Sequence, residues 1–519
     1  MNYPLSSNEN VSQSPQPLVN VAKRSPLLLA SFALTTVFRY IFFLAVVRIL
    51  DQNLYGVLAV AEAILMILGF VVSASFPWAV TRFTTIGKAN VLRPGLLANL
   101  LMAILACVVL LLAYQIGILR LDYDNSYKTI VIMIMLTILF LSWSNVFQGY
   151  LLGIFRFGWV ALLRTGGALA QLAVGLTLVV FGFGVPGALA GYLGAAFVSC
   201  LIGLWISREA LKEKGEWIDK QFTYLALTLM IGILGIHLMI NIDQLAVKMF
   251  SPISSSDTLS ANYKAARLMS TLPLYVITSL IGALFPIAAE YSSEPKRLGI
   301  YVGKMLKYVF AFILPAYIIL MMASTEILGL IFPSAYTDAS KALFALAPGM
   351  FLLILVAIVT AVLQGSGHPN KPALLIGGSI IVQIVLLYNL VPRYEIVGAS
   401  ISTSISSALA LLGLMVYYPN NFQLRLHWTN SLRILCASIL TIMALHMLPM
   451  TTSISLLGSI FIGYTIFVIV LVLSRYFDSM DKGFFSFILK TSSEILGING
   501  KYRPPQLDEL NREKGKNKR

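Results

Sequence analysis

The chain has 519 residues, of which 58% are hydrophobic and 11% charged, and its mean hydropathy is +0.84. Soluble proteins carry about 25% charged residues, so this composition excludes a water-soluble enzyme of several domains. The formal net charge is +15, but the basic residues lie in short loops and near the C-terminal end, which argues against a nucleic-acid partner. We therefore expect an all-α, polytopic membrane protein.

In chain order, residues 1–25 are polar and lack the apolar stretch of a signal peptide, so we expect a disordered cytoplasmic tail. Apolar side chains at helical spacing beyond residue 475 alternate with lysines, which predicts an interfacial helix and a basic cytoplasmic tail over 476–519. Between them lie fourteen apolar segments, each long enough to span a bilayer as a helix. They are predicted at 26–48, 55–80, 95–119, 128–152, 160–183, 185–207, 223–249, 269–290, 304–324, 341–363, 372–392, 396–419, 431–450 and 454–475.

The distribution of lysine and arginine predicts how the chain lies in the membrane. With the N-terminus in the cytoplasm, 28 of the 37 basic residues fall in cytoplasmic segments, 8 fall in outer segments and Arg39 alone lies within a span. Cytoplasmic loops of membrane proteins carry this excess of positive charge. We therefore predict that both termini are cytoplasmic and that the cytoplasmic membrane holds the protein.

The first twelve spans are predicted to be two copies of a six-helix unit. Six crossings return the chain to the side on which it began, so the copies would be parallel bundles over 26–215 and 216–430, with helices 13 and 14 over 431–475 as an addition. Chance matches among helices rich in glycine, alanine and leucine are the alternative. The matching segments, 211 to 216 residues apart, are 147–149 with 363–365, 166–167 with 377–378, Gln171 with Gln383, and 185–188 with 396–399.

Four segments resemble a known family. They are Arg48 to Gly56, which ends in Tyr-Gly before helix 2, Phe147 to Phe157 between helices 4 and 5, Asn241 to Pro286 in helices 7 and 8, and Glu326 to Tyr336 before helix 10. In this order and at these spacings, the chain resembles the multidrug/oligosaccharidyl-lipid/polysaccharide (MOP) exporter superfamily, and within it the oligosaccharide flippase branch. The resemblance covers roughly residues 26 to 475.

This resemblance implies a flippase that moves a polyprenyl-pyrophosphate-linked oligosaccharide across the cytoplasmic membrane by alternating access, for O-antigen or exopolysaccharide biosynthesis. It implies a lipid-linked oligosaccharide and membrane lipids as partners, with a glycan polymerase or glycosyltransferases as further ones. A drug/cation antiporter of the same superfamily is the main alternative, and a membrane scaffold that transports nothing is another. The lipid II flippase branch also matches Asp243, Arg267, Leu272 and Pro273, although its Arg-Asp pair at the end of helix 1 is replaced here by Ile49 after Arg48.

Arg39 is the most informative single residue. It lies thirteen residues into the predicted first span, which is about 20 Å along a helix. An arginine at this depth costs about 2.5–3.5 kcal/mol to insert and usually faces a cavity or a partner. We interpret Arg39 as a contact for the pyrophosphate of the substrate, with a salt bridge to Glu62 of helix 2 as the alternative.

Three more charged residues lie in helices 7 and 8. Lys264 and Arg267 are three residues apart and therefore share a helix face near the outer end, where they either receive the headgroup or reach the interface as lipid-facing cations. Asp243 is a candidate for coupling transport to a sodium or proton gradient, or a partner of Lys248. No other cofactor and no metal site is expected, because the three cysteines, Cys107, Cys200 and Cys436, lie in separate apolar runs.

The remaining polar candidates are amides and arginines. Gln148 and Gln364 occupy matched positions of the two halves, where they either bind sugar hydroxyls or join helices by hydrogen bonds. Arg164, near the inner end of helix 5, is interpreted mainly as a topology determinant, with a phosphate contact as the alternative. Because no pair of carboxylates and no nucleophile with a base is present in a suitable context, we do not expect an enzyme.

Overall fold

The computed structural model describes residues 16–85, 91–117, 126–212, 220–292, 294–368, 370–417 and 428–477. This part of the chain forms fourteen long helices, and the all-α fold class is confirmed. Their bounds are Gln16–Ile49 (helix 1), Gln52–Ser73 with Phe76–Thr85 (helix 2), Leu92–Gln115 (3), Ser126–Gly153 (4), Phe157–Val180 (5), Gly184–Ser207 (6), Lys220–Phe250 (7), Ser256–Glu290 (8), Pro295–Phe312 with Leu314–Met322 (9), Ser340–Gly365 (10), Asn370–Tyr417 (11 and 12), Trp428–Met447 (13) and Ser453–Leu473 (14).

Eleven helical stretches are long and apolar enough to cross a membrane. Helices 11 and 12 are continuous in backbone hydrogen bonding and count as one stretch, but Glu395 has φ 48° and ψ −128° and separates two helices there. Helices 7 and 8 complete the fourteen predicted spans. The chain is thus a multi-pass membrane protein.

The main differences from the predicted spans are at helix ends. Helix 1 begins at Gln16 rather than at the predicted 26, so the expected disordered tail over 1–25 is wrong for residues 16–25, which are helical. Residues 1–15 and the predicted interfacial helix beyond 477 lie outside the described residues. Helix 2 begins at Gln52 because the Asp51 side chain accepts a hydrogen bond from the Leu54 amide, at 3.3 Å, and so caps it. A short helix over Ser324–Ile331 and a 3-10 turn precede helix 10.

We call helices 1–6 the first half and helices 7–12 the second half, after the predicted repeat, and one matched position of that repeat has a similar contact in both. Gly187 and Gly398 are this predicted pair, and each lies in the first turn of its helix. A Cβ at Gly187 would lie 3.1 Å from the Leu178 carbonyl carbon, and one at Gly398 would contact the backbone of Leu390. In both halves the last helix therefore turns back closely against the end of the helix before it.

Helices 13 and 14 pack outside the repeat, against helix 9. The hydroxyl of Tyr464 donates to the Phe312 carbonyl, and that of Tyr476 donates to the Lys307 carbonyl, both at 3.2 Å. Their other faces carry exposed apolar side chains such as Ile454 and Phe461, which suits contact with lipid.

Helix 2 forms much of the boundary between the halves. Its first segment contacts helices 7 and 8, and its second segment contacts helix 7. Helix 2 is broken at Ala74 and Ser75, and the Ser75 hydroxyl donates a hydrogen bond to the Asn99 side chain there, at 3.1 Å. Beyond the break, Thr81 donates to the Gly149 carbonyl of helix 4, at 2.9 Å, so the second segment is bound to the first half.

Candidate functional site

A cavity whose wall is mostly apolar but carries several polar side chains lies inside the first half, among helices 1, 2, 4, 5 and 6. Its volume is about 370 Å³. Apolar residues such as Phe32, Leu65 and Leu141 form part of its wall. The polar side chains around it are Arg39 of helix 1, Asn145 and Gln148 of helix 4, and Arg164 and Gln171 of helix 5.

Two guanidinium groups face this cavity. The Nε of Arg164 donates a hydrogen bond to Oε1 of Gln148, at 3.2 Å, and Arg164 lies within electrostatic range of Arg39. Neither arginine forms an ion pair with another of the described residues. Arg39 is exposed and Arg164 half-buried, and because two like charges repel each other, the arrangement suits a ligand that brings negative charge.

Two buried polar atoms of the cavity wall also lack a hydrogen-bond partner among the described residues. They are Oγ1 of Thr35 and Nε2 of Gln171. Gln171 is only 1% exposed. Since buried polar groups are normally paired, these atoms point to a ligand or water that completes them.

Glu62, expected as the alternative partner of Arg39, is paired with a residue of the other half instead. Lys264 Nζ lies 2.7 Å from Glu62 Oε2, and each side chain is 5% exposed. Lys264 also lies over the ring of Phe43 of helix 1, 4.8 Å from its centroid. The Arg39–Glu62 salt bridge is therefore absent from the described structure, and Lys264 is a buried cation that joins the halves, not a lipid-facing one.

Asp243 and Arg267 form a second buried network, inside the second half. Asp243 Oδ1 lies 3.7 Å from Arg267 Nη1. Its Oδ2 accepts hydrogen bonds from Tyr263, at 2.5 Å, and from Thr403, at 3.1 Å. The alternative pairing of Asp243 with Lys248 is wrong, because Lys248 Nζ lies 2.6 Å from Oδ1 of Asp257.

The halves meet tightly at the end of the bundle where helix 1 ends and helices 2 and 8 begin. We refer to the contacts among residues 48–56, 257–262 and 331–335 as the latch. Gln52 donates to the Asn262 side chain, at 2.8 Å, and Thr258 donates to the Asn53 side chain, at 2.7 Å. Gly56 allows this approach, because a Cβ there would overlap the carbonyl of Asp257.

Toward the end opposite the latch, aromatic side chains form contacts between helix 2 and helix 7. Phe70 of helix 2, which lines the cavity, stacks on His237 of helix 7 with ring centroids 3.3 Å apart. The ring centroid of Phe222 of helix 7 lies 5.9 Å from that of Phe76 and 5.2 Å from that of Phe83. Helix 2 is thus in contact with the second half along its length.

The predicted site residues therefore separate into three places. Arg39 and Gln148 meet at the cavity, while Glu62 and Lys264 pair across the boundary and Asp243 and Arg267 lie in the second half. Gln364, the repeat partner of Gln148, is not among the residues that line the cavity, and its Nε2 has no partner in the described structure. The described residues contain no cluster of three metal-binding side chains.

Arg164 lies deeper in its helix than a topology determinant requires. Helix 5 begins at Phe157, so Arg164 lies two turns inside the helix and faces the cavity. The signal that would have placed it is Gln148, whose amide oxygen accepts its hydrogen bond.

Comparison with known proteins places this geometry in a family. Residues 21–292 match the model of the family described as "Polysaccharide biosynthesis protein". A protein of Shigella flexneri named "Putative O-antigen transporter" is 26% identical over 307 residues, which are 58% of this chain and 71% of that protein. The "Probable low-salt glycan biosynthesis flippase Agl15" of Haloferax volcanii is 25% identical over 162 residues, 31% of this chain and only 34% of that relative's length.

The fold is also shared with solved structures. The lipid II flippase MurJ in an inward closed conformation aligns with a TM-score of 0.65 at 16% identity, and the alignment covers 88% of this chain and 99% of that one. At this identity the likeness concerns the fold alone. The family model, in contrast, matches more than half of the chain. The chain therefore belongs to the polysaccharide biosynthesis protein family and has the fold of the MOP exporter superfamily.

Proposed function

We propose that the protein is a flippase that moves a polyprenyl-pyrophosphate-linked oligosaccharide across the cytoplasmic membrane, for the biosynthesis of a cell-surface polysaccharide. The observation that carries this proposal is the cavity of the first half, where Arg39 and Arg164 face a space of about 370 Å³ without carboxylate partners among the described residues. Relatives named as an O-antigen transporter and a glycan flippase support it.

The chemistry of the cavity suits the part of such a substrate that is hardest to move. A pyrophosphate carries charge that cannot enter hydrocarbon unaided, because desolvating an ion costs many kcal/mol. Arginine binds phosphate oxygens through paired N–H groups. The amides of Asn145, Gln148 and Gln171 supply neutral donors and acceptors for the sugar beside the pyrophosphate.

The closed boundary suits transport by alternating access. The latch closes the end that charge distribution assigns to the outer face, because helix 1 runs from the proposed cytoplasmic side to Ile49. Release to that side requires helices 2 and 8 to separate there. The broken backbone of helix 2 at Ala74 provides a place where its two segments change their relative direction.

The contacts of Asp243 favour a structural role over coupling to a sodium or proton gradient. Its oxygens accept hydrogen bonds from Gln244, Tyr263 and Thr403, and Arg267 lies beside them. A bound cation would have to displace that guanidinium. We propose lipid-linked oligosaccharide and membrane lipids as partners, while a polymerase or glycosyltransferase partner follows from the resemblance alone.

Transport into liposomes separates this function from the drug/cation antiporter alternative. The purified protein is reconstituted with a fluorescent polyprenyl-pyrophosphate oligosaccharide, and separately with a fluorescent quaternary ammonium compound. We expect movement of the lipid-linked sugar to the opposite leaflet and no accumulation of the cationic dye. Accumulation of the dye without movement of the lipid would support the antiporter and contradict our proposal.

A further inference from the structure

Glu62 belongs to the face of helix 2 that lines the cavity. The residues of helix 2 in the wall are Leu65, Met66, Gly69, Phe70 and Ser73, which follow one another at helical spacing along one stripe. Glu62 lies three and four residues before the first two of them, so it is the next position of the same stripe. The carboxylate therefore lies one turn beyond the cavity, at its end nearest the latch.

Lys264 neutralises this carboxylate from the other half. The ammonium group is 2.7 Å from Glu62 and lies over the ring of Phe43, which is one helical turn beyond Arg39 on helix 1. The buried Tyr192 hydroxyl in the cavity wall is within electrostatic range of both Glu62 and Arg39. The ion pair and the two arginines of the cavity thus belong to one electrostatic environment.

We propose that Glu62 is a switchable counter-charge that sets the affinity of the cavity for its anionic ligand. While the latch is closed, Lys264 cancels the charge of Glu62, and the cavity presents two uncompensated arginines to a pyrophosphate. When helix 8 moves away from helix 2, Lys264 leaves with the second half and Glu62 stays beside the cavity. The freed carboxylate then competes for Arg39 and repels the phosphate, so the ligand is released on the side that has just opened.

This inference rests on the proposed function, because it assigns to Glu62 the control of release from that same cavity. It also explains why a buried ion pair crosses the boundary. Buried pairs stabilise a protein little compared with apolar residues of similar volume, and the boundary already has apolar contacts on either side. A pair divided between the two moving bodies changes the charge of the cavity each time they separate.

Three variants of the full-length chain in detergent test the switch: Lys264→Met, Glu62→Gln, and the two together. The measurement is calorimetric titration with farnesyl pyrophosphate, a short prenyl pyrophosphate. In Lys264→Met the carboxylate is permanently unpaired, so we expect affinity to fall by about tenfold or more, which corresponds to about 1.4 kcal/mol. The double variant lacks both charges and should bind within about threefold of wild type.

Two controls make the outcomes distinguishable. Lys341→Met removes an exposed lysine at the start of helix 10, outside the latch and the cavity wall, and it should leave affinity unchanged. Arg39→Gln should abolish binding if the cavity is the anion site. If wild type itself fails to bind farnesyl pyrophosphate, the proposed function fails and the switch fails with it.

If wild type binds and Arg39→Gln does not, the comparison of the single and double variants tests the switch alone. Equal loss in Lys264→Met and in the double variant would show that Lys264 binds the ligand or maintains the fold, and would overturn the proposal. So would unchanged affinity in Lys264→Met. The proposal also requires that the double variant, despite normal binding, flips lipid in liposomes at least about tenfold more slowly than wild type, since release is no longer assisted.

Discussion

Arg164 donates a hydrogen bond from its Nε to Gln148 Oε1, at 3.2 Å, and so joins helix 5 to helix 4 at the wall of the cavity. This single contact leaves the terminal nitrogens of the guanidinium free of any partner recorded in the described structure. Because Nε is held by the amide, the guanidinium of Arg164 is oriented from helix 4. Gln148, predicted from the repeat as either a sugar contact or a link between helices, acts here as the link that orients a cation.

The first prediction concerns Arg164 itself. Arg164→Gln removes one of two positive charges in the cavity, and a charge-assisted hydrogen bond contributes about 1.5–3 kcal/mol. We expect flipping of a polyprenyl-pyrophosphate sugar in liposomes to slow by about tenfold or more. Arg156→Gln, at the exposed start of the same helix, is the matched control and should flip at the wild-type rate. Equal rates in both variants would exclude Arg164 from the site.

The second prediction concerns the latch. Gly56→Val places side-chain atoms where the Asp257 carbonyl lies, so helices 2 and 8 cannot approach as they do here. We expect the closed end to open more often. The reporter is Asn262→Cys at this buried position, in a chain whose native cysteines are replaced by alanine. It should react faster with a membrane-impermeant maleimide when Gly56→Val is present than when it is absent.

Gly458→Val is the control for this experiment, because a Cβ at Gly458 of helix 14 has no neighbour within 4 Å among the described residues. It should not change the labelling of position 262. Unchanged labelling in Gly56→Val, with the protein still folded, would show that the close approach at Gly56 is not what keeps this end shut.

The third prediction concerns Asp243 and Arg267. Asp243→Asn leaves the guanidinium of Arg267 buried and uncompensated, which destabilises proteins by about 3–5 kcal/mol. We expect a lower thermal unfolding temperature in detergent, and recovery of most of the loss when Arg267→Gln is added. Recovery of the unfolding temperature in the double variant would show that Asp243 and Arg267 stabilise the protein as a pair.

The same variants test whether Asp243 couples transport to an ion gradient. Flipping by the stabilised double variant is measured with and without a sodium gradient and with and without a proton gradient. On our account its response to each gradient equals that of wild type. A gradient dependence that disappears in Asp243→Asn would assign a coupling role to this carboxylate and contradict the structural one.

Much of the fold was predictable from the sequence, because hydrocarbon imposes simple rules. A span needs about twenty apolar residues, so fourteen helices and their order follow from apolar runs between polar breaks. The two-copy repeat stays a prediction, and the close backbone contacts of its matched glycines, Gly187 and Gly398, are consistent with it. The breaks in helices 2 and 9 were also predictable, because Pro77 and Pro315 are each the second residue of the segment that follows the break.

The site was predictable only in part, because charge partners are a property of packing. Arg39 was identified from its depth alone, and the structure places it at the cavity. Glu62 was assigned to Arg39 as an alternative partner because helices 1 and 2 are adjacent in sequence, yet it pairs with Lys264, two hundred residues away. The partner of a buried carboxylate depends on how the two halves pack together, and the local sequence around the carboxylate does not predict that packing.

The most direct test of the account is flipping by wild type and Arg39→Ala in the same liposomes. The assay follows a fluorescent polyprenyl-pyrophosphate oligosaccharide until it appears on the opposite leaflet, and equal amounts of protein in the vesicles are verified for both. We predict that wild type flips the lipid and that Arg39→Ala, although inserted and folded, does not. Flipping at the wild-type rate by Arg39→Ala would contradict the claim that the cavity of the first half carries the pyrophosphate.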